Sequence, residues 1–211
     1  MANLYGNKWI GFGYDLLASL LWLPSKSRLY HQCVSLLNIQ PGDTLLELGC
    51  GTGYLTQKLI EKKGIVTAVD QSAGMLARAR QRAGKATFVQ ADLRTYTDTG
   101  QYDYVVLFFV LHEMSLPERT AVLRRASGFL KQKGVLIVCD FSIPPRGVLR
   151  NLFPALLRLW ESHHTTDILK NGFDREISHN RLSIRERVTL YGGRVQLLKL
   201  GLPLTIPPCN G

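Results

Sequence analysis

The sequence predicts an α/β fold, a mostly parallel sheet with helices on both faces, and three observations carry that reading. Short apolar runs alternate with amphipathic helical patterns from Thr44 to Cys139. A glycine-rich turn, Gly49-Cys50-Gly51-Thr52-Gly53, joins the first run to the helix after it. Near the C-terminus Gly192-Gly193 separates two strand-like runs, Val188–Tyr191 and Arg194–Leu200, which is a hairpin signal. Continuously apolar strands between amphipathic helices are buried on both faces, as parallel strands are.

Thr44–Leu48 reads as the first strand, bounded by Pro41-Gly42-Asp43 and by the glycines. The helix after it places Leu55, Leu59 and Ile60 on one face and ends near Gly64. Ile65–Val69, rich in β-branched residues, ends at Asp70, and Ser72 stands where it can cap a helix carrying Met75, Leu76 and Ala79 inward. Ala86–Ala91 makes a third strand ending at Asp92, and Tyr104–Leu111 a fourth. Ser115 and Glu118 have the capping-box spacing, with Pro117 in the first turn. The helix they open is expected to run through Val122, Leu123, Ala126 and Leu130 to a Lys133-Gly134 turn, before a fifth strand over Val135–Cys139. Beyond Pro144-Pro145, Val148–Trp160 reads as a helix interrupted at Pro154. For the tail, the alternative to the hairpin is a capping box at Ser183–Glu186 that opens a short helix.

Length and composition fit one globular domain of 211 residues with a core of its own. The four cysteines, Cys33, Cys50, Cys139 and Cys209, form no paired motif, which fits a reducing compartment and neither a disulfide framework nor a zinc site. A net charge of +10 favours anionic partners: nucleic acid, an anionic membrane surface or acidic substrates. The run Arg78, Arg80, Arg82, Lys85 is expected to be a solvated helix face. Trp9–Leu23 is apolar but interrupted by Asp15 and too short to span a bilayer, so it reads as an amphipathic capping helix, with interfacial insertion as the alternative.

The glycine turn lets the backbone bend sharply and approach a ligand above the strand ends. It lacks the Gly-Lys-Ser/Thr ending of a P-loop, and Tyr54 stands where a dinucleotide fingerprint has its third glycine. Asp70, at the end of the second strand with Gln71 beside it, can accept bonds from both ribose hydroxyls. Asp92, one strand further out, can accept one from an adenine amine. A glycine turn, a ribose acid and an adenine acid together suit an adenosyl amino acid.

These residues, Glu47-x-Gly49-x-Gly51-x-Gly53, Asp70, Asp92-Leu93 and Lys131-x-x-Gly134, resemble class I S-adenosylmethionine-dependent methyltransferases over Asn38–Ser142. The resemblance implies a Rossmann-like, seven-stranded, mostly parallel sheet with a C-terminal antiparallel hairpin. It also implies S-adenosyl-L-methionine as cofactor, with Glu47, Gly49, Cys50, Gly51 and Gly53 near its methionine part. Asp70 and Gln71 would lie at the ribose and Asp92 and Leu93 at the adenine, with Phe108 and Phe109 close by. Residues 1–37 would form a helical cap, 38–142 the cofactor core, and 143–211 a substrate-covering helix and the last strands. Leu130-Lys131, Gly134, Asp140-Phe141-Ser142, Gly172-Phe173-Asp174 and Tyr191-Gly192-Gly193-Arg194-Val195 are similar to the ubiquinone/menaquinone C-methyltransferase (UbiE-like) group, in which glutamate usually stands at the Asp140 position.

Methyl transfer to a phenol-type oxygen or carbon needs a proton removed, and His112, after the fourth strand, is the candidate base. The competing reading is a loop histidine beside a helix cap, and for His163 and His164 an exposed helical pair. Leu107–His112 holds no amide or prolines to grip a base amine, so a small or lipid-like, largely apolar acceptor is expected. An RNA substrate is the less favoured alternative, a non-catalytic cofactor-binding domain another, and no metal is expected. The expected location is cytoplasmic, with peripheral contact at an anionic inner membrane face as a further possibility.

Overall fold

The fold is known from a computed structural model that describes residues 26–142 and 163–203. The expected helices over Trp9–Leu23 and Val148–Trp160 lie outside the described residues. The chain divides into two compact units, Met1–Asn38 and Ile39–Gly211. In the first, helix α1 (Lys26–Ser35) buries Leu29, Cys33 and Val34, the i, i+4, i+5 stripe of an amphipathic helix.

In the second unit the strands are β1 (Thr44–Leu48), β2 (Ile65–Asp70), β3 (Thr87–Gln90), β4 (Tyr102–Phe108), β5 (Leu130–Phe141), β6 (Ser183–Leu190) and β7 (Val195–Gly201). They form one seven-stranded sheet in the order β3-β2-β1-β4-β5-β7-β6. The first five pair in parallel, and β7 runs antiparallel to both β5 and β6. The expected α/β class and terminal hairpin are therefore present. The helix alternative at Ser183–Glu186 does not form, because Ile184 and Glu186 pair with Leu200 and Lys199.

Helices α2 (Tyr54–Glu61), α3 (Ala73–Arg82) and α4 (Leu116–Gly128) connect the parallel strands, and α5 (His163–Asn171) and α6 (Asp174–His179) precede the hairpin. Ser72 caps α3 by accepting from the Met75 amide at 3.3 Å. At α4, both the amide and the hydroxyl of Ser115 donate to Glu118, at 2.9 and 2.7 Å. Leu46, Leu48, Val69, Val105, Leu107, Leu123, Leu136 and Val138 lie in one continuous core.

Three expectations need correction. Helix α4 stops at Gly128 and Leu130 already belongs to β5, opposite Tyr102; a register shift then lets residues 131–134 bulge before Val135 pairs with Tyr104. Gly134 fits that bulge because a Cβ there would meet the carbonyl oxygens of Lys131 and Tyr102 at 2.9 Å. Strand β4 ends at Phe108 rather than Leu111, and a 3₁₀ turn (Leu111–Glu113) follows. On α2 the third buried residue is Thr56, while Ile60 is half-buried.

Strand order reverses between β1 and β4, a point where the loops after the two strands diverge and leave a crevice at the carboxyl edge. The glycine turn follows β1 and the 3₁₀ turn follows β4, so both candidate groups stand at this edge.

Candidate functional site

The backbone amides of Gly49 and Cys50 both donate to the Val69 carbonyl, at 2.8 and 3.0 Å, which ties the glycine turn to the end of β2. All three glycines have positive φ: 82° at Gly49, 53° at Gly51 and 77° at Gly53. At Gly49 a Cβ would fall 2.5 Å from a Val110 methyl, and at Gly53 it would fall 2.9 Å from the Ala79 backbone. Packing explains those two. A Cβ on Gly51 would meet nothing within 4 Å, so this glycine is required by its left-handed backbone and opens onto free space above the strand ends.

Asp70 closes the turn. One of its oxygens accepts from the Gly51 amide and the other from the Ser72 amide, each at 2.8 Å. The carboxylate is thereby fixed beside that open space, and each oxygen keeps a second acceptor direction. Gln71 is exposed, and its carbonyl accepts from the Gln90 side chain at 3.3 Å. Arg82, expected on a solvated face, instead donates to the Thr52 carbonyl and lies 3.6 Å from the centre of the Tyr54 ring. It therefore clamps α3 to the glycine turn. Arg78, Arg80 and Lys85 are exposed as expected.

Glu47 lies beneath the turn, 2 % exposed, and accepts a 2.6 Å bond from the Thr56 hydroxyl. Burial above all, with repulsion from Asp70, pushes its carboxyl up to about 8 against the lowering effect of Thr56. The folded protein thus binds a proton here that the unfolded chain releases near the ordinary glutamate value of 4.5. Stability from this group is complete below about 4.5 and is lost as pH rises towards about 8. Glu47→Gln is expected to flatten the fall of stability across that window, read from urea midpoints at several pH values. An unchanged pH slope would contradict the assignment. Cys50 is also buried, and burial first, then the charge of Glu47, pushes its thiol far up, so it stays protonated.

Asp92 follows β3, and its carboxylate is held below the usual range chiefly by the Arg94 side chain, whose Nε donates to both oxygens at 3.0 Å. Arg94 also reaches Glu118 at 3.4 Å. Asp70 is bonded directly to the glycine turn, whereas Asp92 is engaged by Arg94 one strand further out. Leu93 is half-buried against the core and Phe108 is buried.

At the other side of the crevice, Phe109 has a φ of 52°, a left-handed conformation that costs about 1–2 kcal/mol for a residue with a Cβ. Its amide is held by the Cys139 carbonyl at 2.8 Å, and its ring packs edge-on against Phe108 and Phe141 at 5.1 and 5.0 Å. His112 joins this group, 4.9 Å from the Phe141 ring. The histidine is 4 % exposed, not an open loop residue, and its Nδ1 lies 2.9 Å from Asp140 Oδ1. Asp140 is wholly buried and also accepts the amides of Leu111, His112 and Phe141, at 3.1, 3.2 and 2.8 Å. Thr165, from α5, donates to the His112 carbonyl at 3.2 Å. His164 is half-buried.

Sequence reasoning did not find the network that braces this turn. Arg119, 1 % exposed, donates to Glu176 at 2.6 Å, to Asp167, and to the Met114 carbonyl at 2.9 Å, joining α4 to α5, α6 and the end of the 3₁₀ turn. The signal was available: Arg119 lies three, four and seven residues before Val122, Leu123 and Ala126, on the apolar stripe of its helix. Among the described residues no cluster of three or more His, Cys, Asp or Glu could hold a metal, and no helix is long and apolar enough to cross a membrane.

Residues 45–134 match a family model described as a methyltransferase domain. The chain is 37% identical over 107 residues to a malonyl-[acyl-carrier protein] O-methyltransferase of Anoxybacillus flavithermus, covering 49% of this chain and 40% of that one. It is 31% identical over 150 residues to a demethylmenaquinone methyltransferase of Mycolicibacterium gilvum, covering 68% of this chain and 62% of that one. The chain thus spans less than two thirds of the length of either relative. Its fold is similar to that of an S-adenosylmethionine-dependent methyltransferase from Clostridium acetobutylicum, with a TM-score of 0.67, 17% identity, and coverage of 93% of this chain and 99% of that one.

Proposed function

Since the chain belongs to the class I S-adenosylmethionine-dependent methyltransferases, we propose that it transfers a methyl group to a small or lipid-like, largely apolar acceptor. The observation that carries this reading is the Asp70 carboxylate, pinned by the Gly51 and Ser72 amides beside the open space over Gly51. That arrangement fits the cofactor: a left-handed turn offers backbone close to the ligand, and a fixed anion at the end of β2 suits a ribose diol. S-adenosylmethionine supplies an electrophilic methyl on a sulfonium, whose sulfur leaves with the bonding pair.

In this reading Glu47, Gly49, Cys50, Gly51 and Gly53 surround the amino-acid part and Asp70 and Gln71 hold the ribose. Asp92 and Leu93, with Phe108 near, hold the adenine. For Asp92 to accept from the adenine amine, one of the Arg94 donors that occupy both its oxygens must give way. Phe108, Phe109 and Phe141 give the acceptor side an aromatic, weakly polar wall, which favours apolar substrates and keeps water from the reacting centre. The net charge of +10 favours an acceptor presented at an anionic surface.

The test is S-adenosylhomocysteine formation with quinols, simple phenols, fatty acyl carriers and RNA as acceptors, with and without anionic vesicles. Turnover confined to the apolar acceptors is expected. Turnover on RNA alone would overturn the acceptor class.

A further inference from the structure

Resting on that reading, we infer that Arg94 sets how tightly and how selectively the adenine is held, by competing with the base amine for the Asp92 carboxylate. Asp92 Oδ1 accepts from the Arg94 backbone amide at 2.9 Å and from its Nε at 3.0 Å. Oδ2 accepts from the same Nε at 3.0 Å and from Nη2 at 2.6 Å. A carboxylate offers about four lone-pair positions, and these contacts take them all. An amine that arrives at Asp92 has to displace a donor.

The backbone amide is not the donor that yields. It belongs to a turn that the main chain holds by itself, with the Thr95 and Tyr96 amides donating to the Asp92 carbonyl at 3.0 and 2.8 Å. The guanidinium is free to move. Its side chain is 49 % exposed on a flexible stem, and Nη1 has a second partner in Glu118 Oε1 at 3.4 Å. Charge-assisted contacts settle at about 2.7–2.9 Å, so this one has room to shorten as Nε and Nη2 leave Asp92. The amide and hydroxyl of Ser115 fix Glu118 through its other oxygen, Oε2, so Oε1 stays turned to Arg94.

A guanidinium that only braced the turn would duplicate bonds the backbone already makes. The contest also takes place beside the ribose acid: the Ala91 amide donates to the Asp70 carbonyl at 3.1 Å, tying the Asp92 turn to the end of β2. Cofactor and product share the adenine, so Arg94 lowers the affinity for both and eases the departure of S-adenosylhomocysteine. A purine without the amine leaves the guanidinium on Asp92 and gains nothing from its removal. Arg94 is therefore a specificity-determining residue.

The test titrates wild type, Arg94→Met and Arg94→Lys by calorimetry with two ligands. One is S-adenosylhomocysteine, and the other is its 6-deamino analogue, in which hydrogen replaces the purine amine. Arg94→Met keeps the backbone bonds of the turn and is expected to unfold at the wild-type urea midpoint. It is expected to bind S-adenosylhomocysteine about two- to fivefold more tightly, the range an exposed ion pair spans, and the analogue with an unchanged Kd. Arg94→Lys, with the charge but not the fork, is expected to fall between the two. Added salt weakens the pair that must open, so it is expected to tighten S-adenosylhomocysteine binding to wild type and to leave Arg94→Met unchanged. Equal or weaker binding of S-adenosylhomocysteine by Arg94→Met, or an equal gain for the analogue, overturns the competition. If wild type and both variants all fail to bind S-adenosylhomocysteine, the cofactor reading falls and this inference with it. If they bind it with the same Kd, only the competition falls.

Discussion

Arg119→Met is expected to destabilise the protein by about 3–5 kcal/mol, the range for removing one partner of a buried ion pair. The reason is what the substitution leaves behind. Glu176 is as buried as Arg119, at 1 % exposure, and would keep a charge with no cation against it. Asp167 is partly exposed and can turn to water, so it contributes less to the loss. The Met114 carbonyl also loses its donor, which loosens the end of the turn that carries His112. Urea unfolding with an unchanged slope and a much lower midpoint is the expected outcome. Arg119→Met combined with Glu176→Gln should recover much of the deficit, since the uncompensated charge is then gone. A single variant within about 0.5 kcal/mol of wild type would show that the triad carries little of the fold's stability.

Asp70→Ala is expected to weaken S-adenosylhomocysteine binding by roughly 1–3 kcal/mol, because ribose hydroxyls would be buried without their charged acceptor. That is about a 5- to 150-fold rise in Kd. The substitution also releases the Gly51 and Ser72 amides, so the turn itself slackens. Asp70→Asn keeps one acceptor oxygen for these donors and should fall between the two. Calorimetric titration of folded variants checks the series. Equal affinity in wild type and Asp70→Ala would place the ribose elsewhere.

The strands were legible where the physics is local. β1 is bounded by Pro41-Gly42 and the glycines, β2 by its β-branched run and Asp70, and the hairpin by Gly192-Gly193, so periodicity and turn chemistry sufficed. Leu130–Gly134 was misjudged because its continuation of the helical stripe is overridden by pairing with Tyr102 across the sheet. No local pattern announces such a bulge. The left-handed Phe109 was equally hidden, since its conformation is fixed by the Cys139 carbonyl and by packing against Phe108 and Phe141. Gly49, Gly51 and Gly53 stood out as candidates from spacing alone. Spacing could not say that two of them answer to Val110 and Ala79 and only one to open space. His112 was singled out for its place after β4, but its partner Asp140 lies 28 residues away and meets it only through the pairing of β4 with β5. Long-range contacts of this kind, like Arg119 with Glu176, belong to the tertiary fold.

The central claim, that the crevice over β1 and β2 holds an adenosyl amino acid, is tested most directly by isothermal calorimetry of the whole chain. Parallel titrations would use S-adenosylmethionine, S-adenosylhomocysteine and NAD. The geometry of Gly51 and Asp70, without the glycine spacing of a dinucleotide loop, predicts saturable one-to-one binding of the first two and none of NAD. Binding of NAD with no affinity for either adenosyl amino acid would contradict the account.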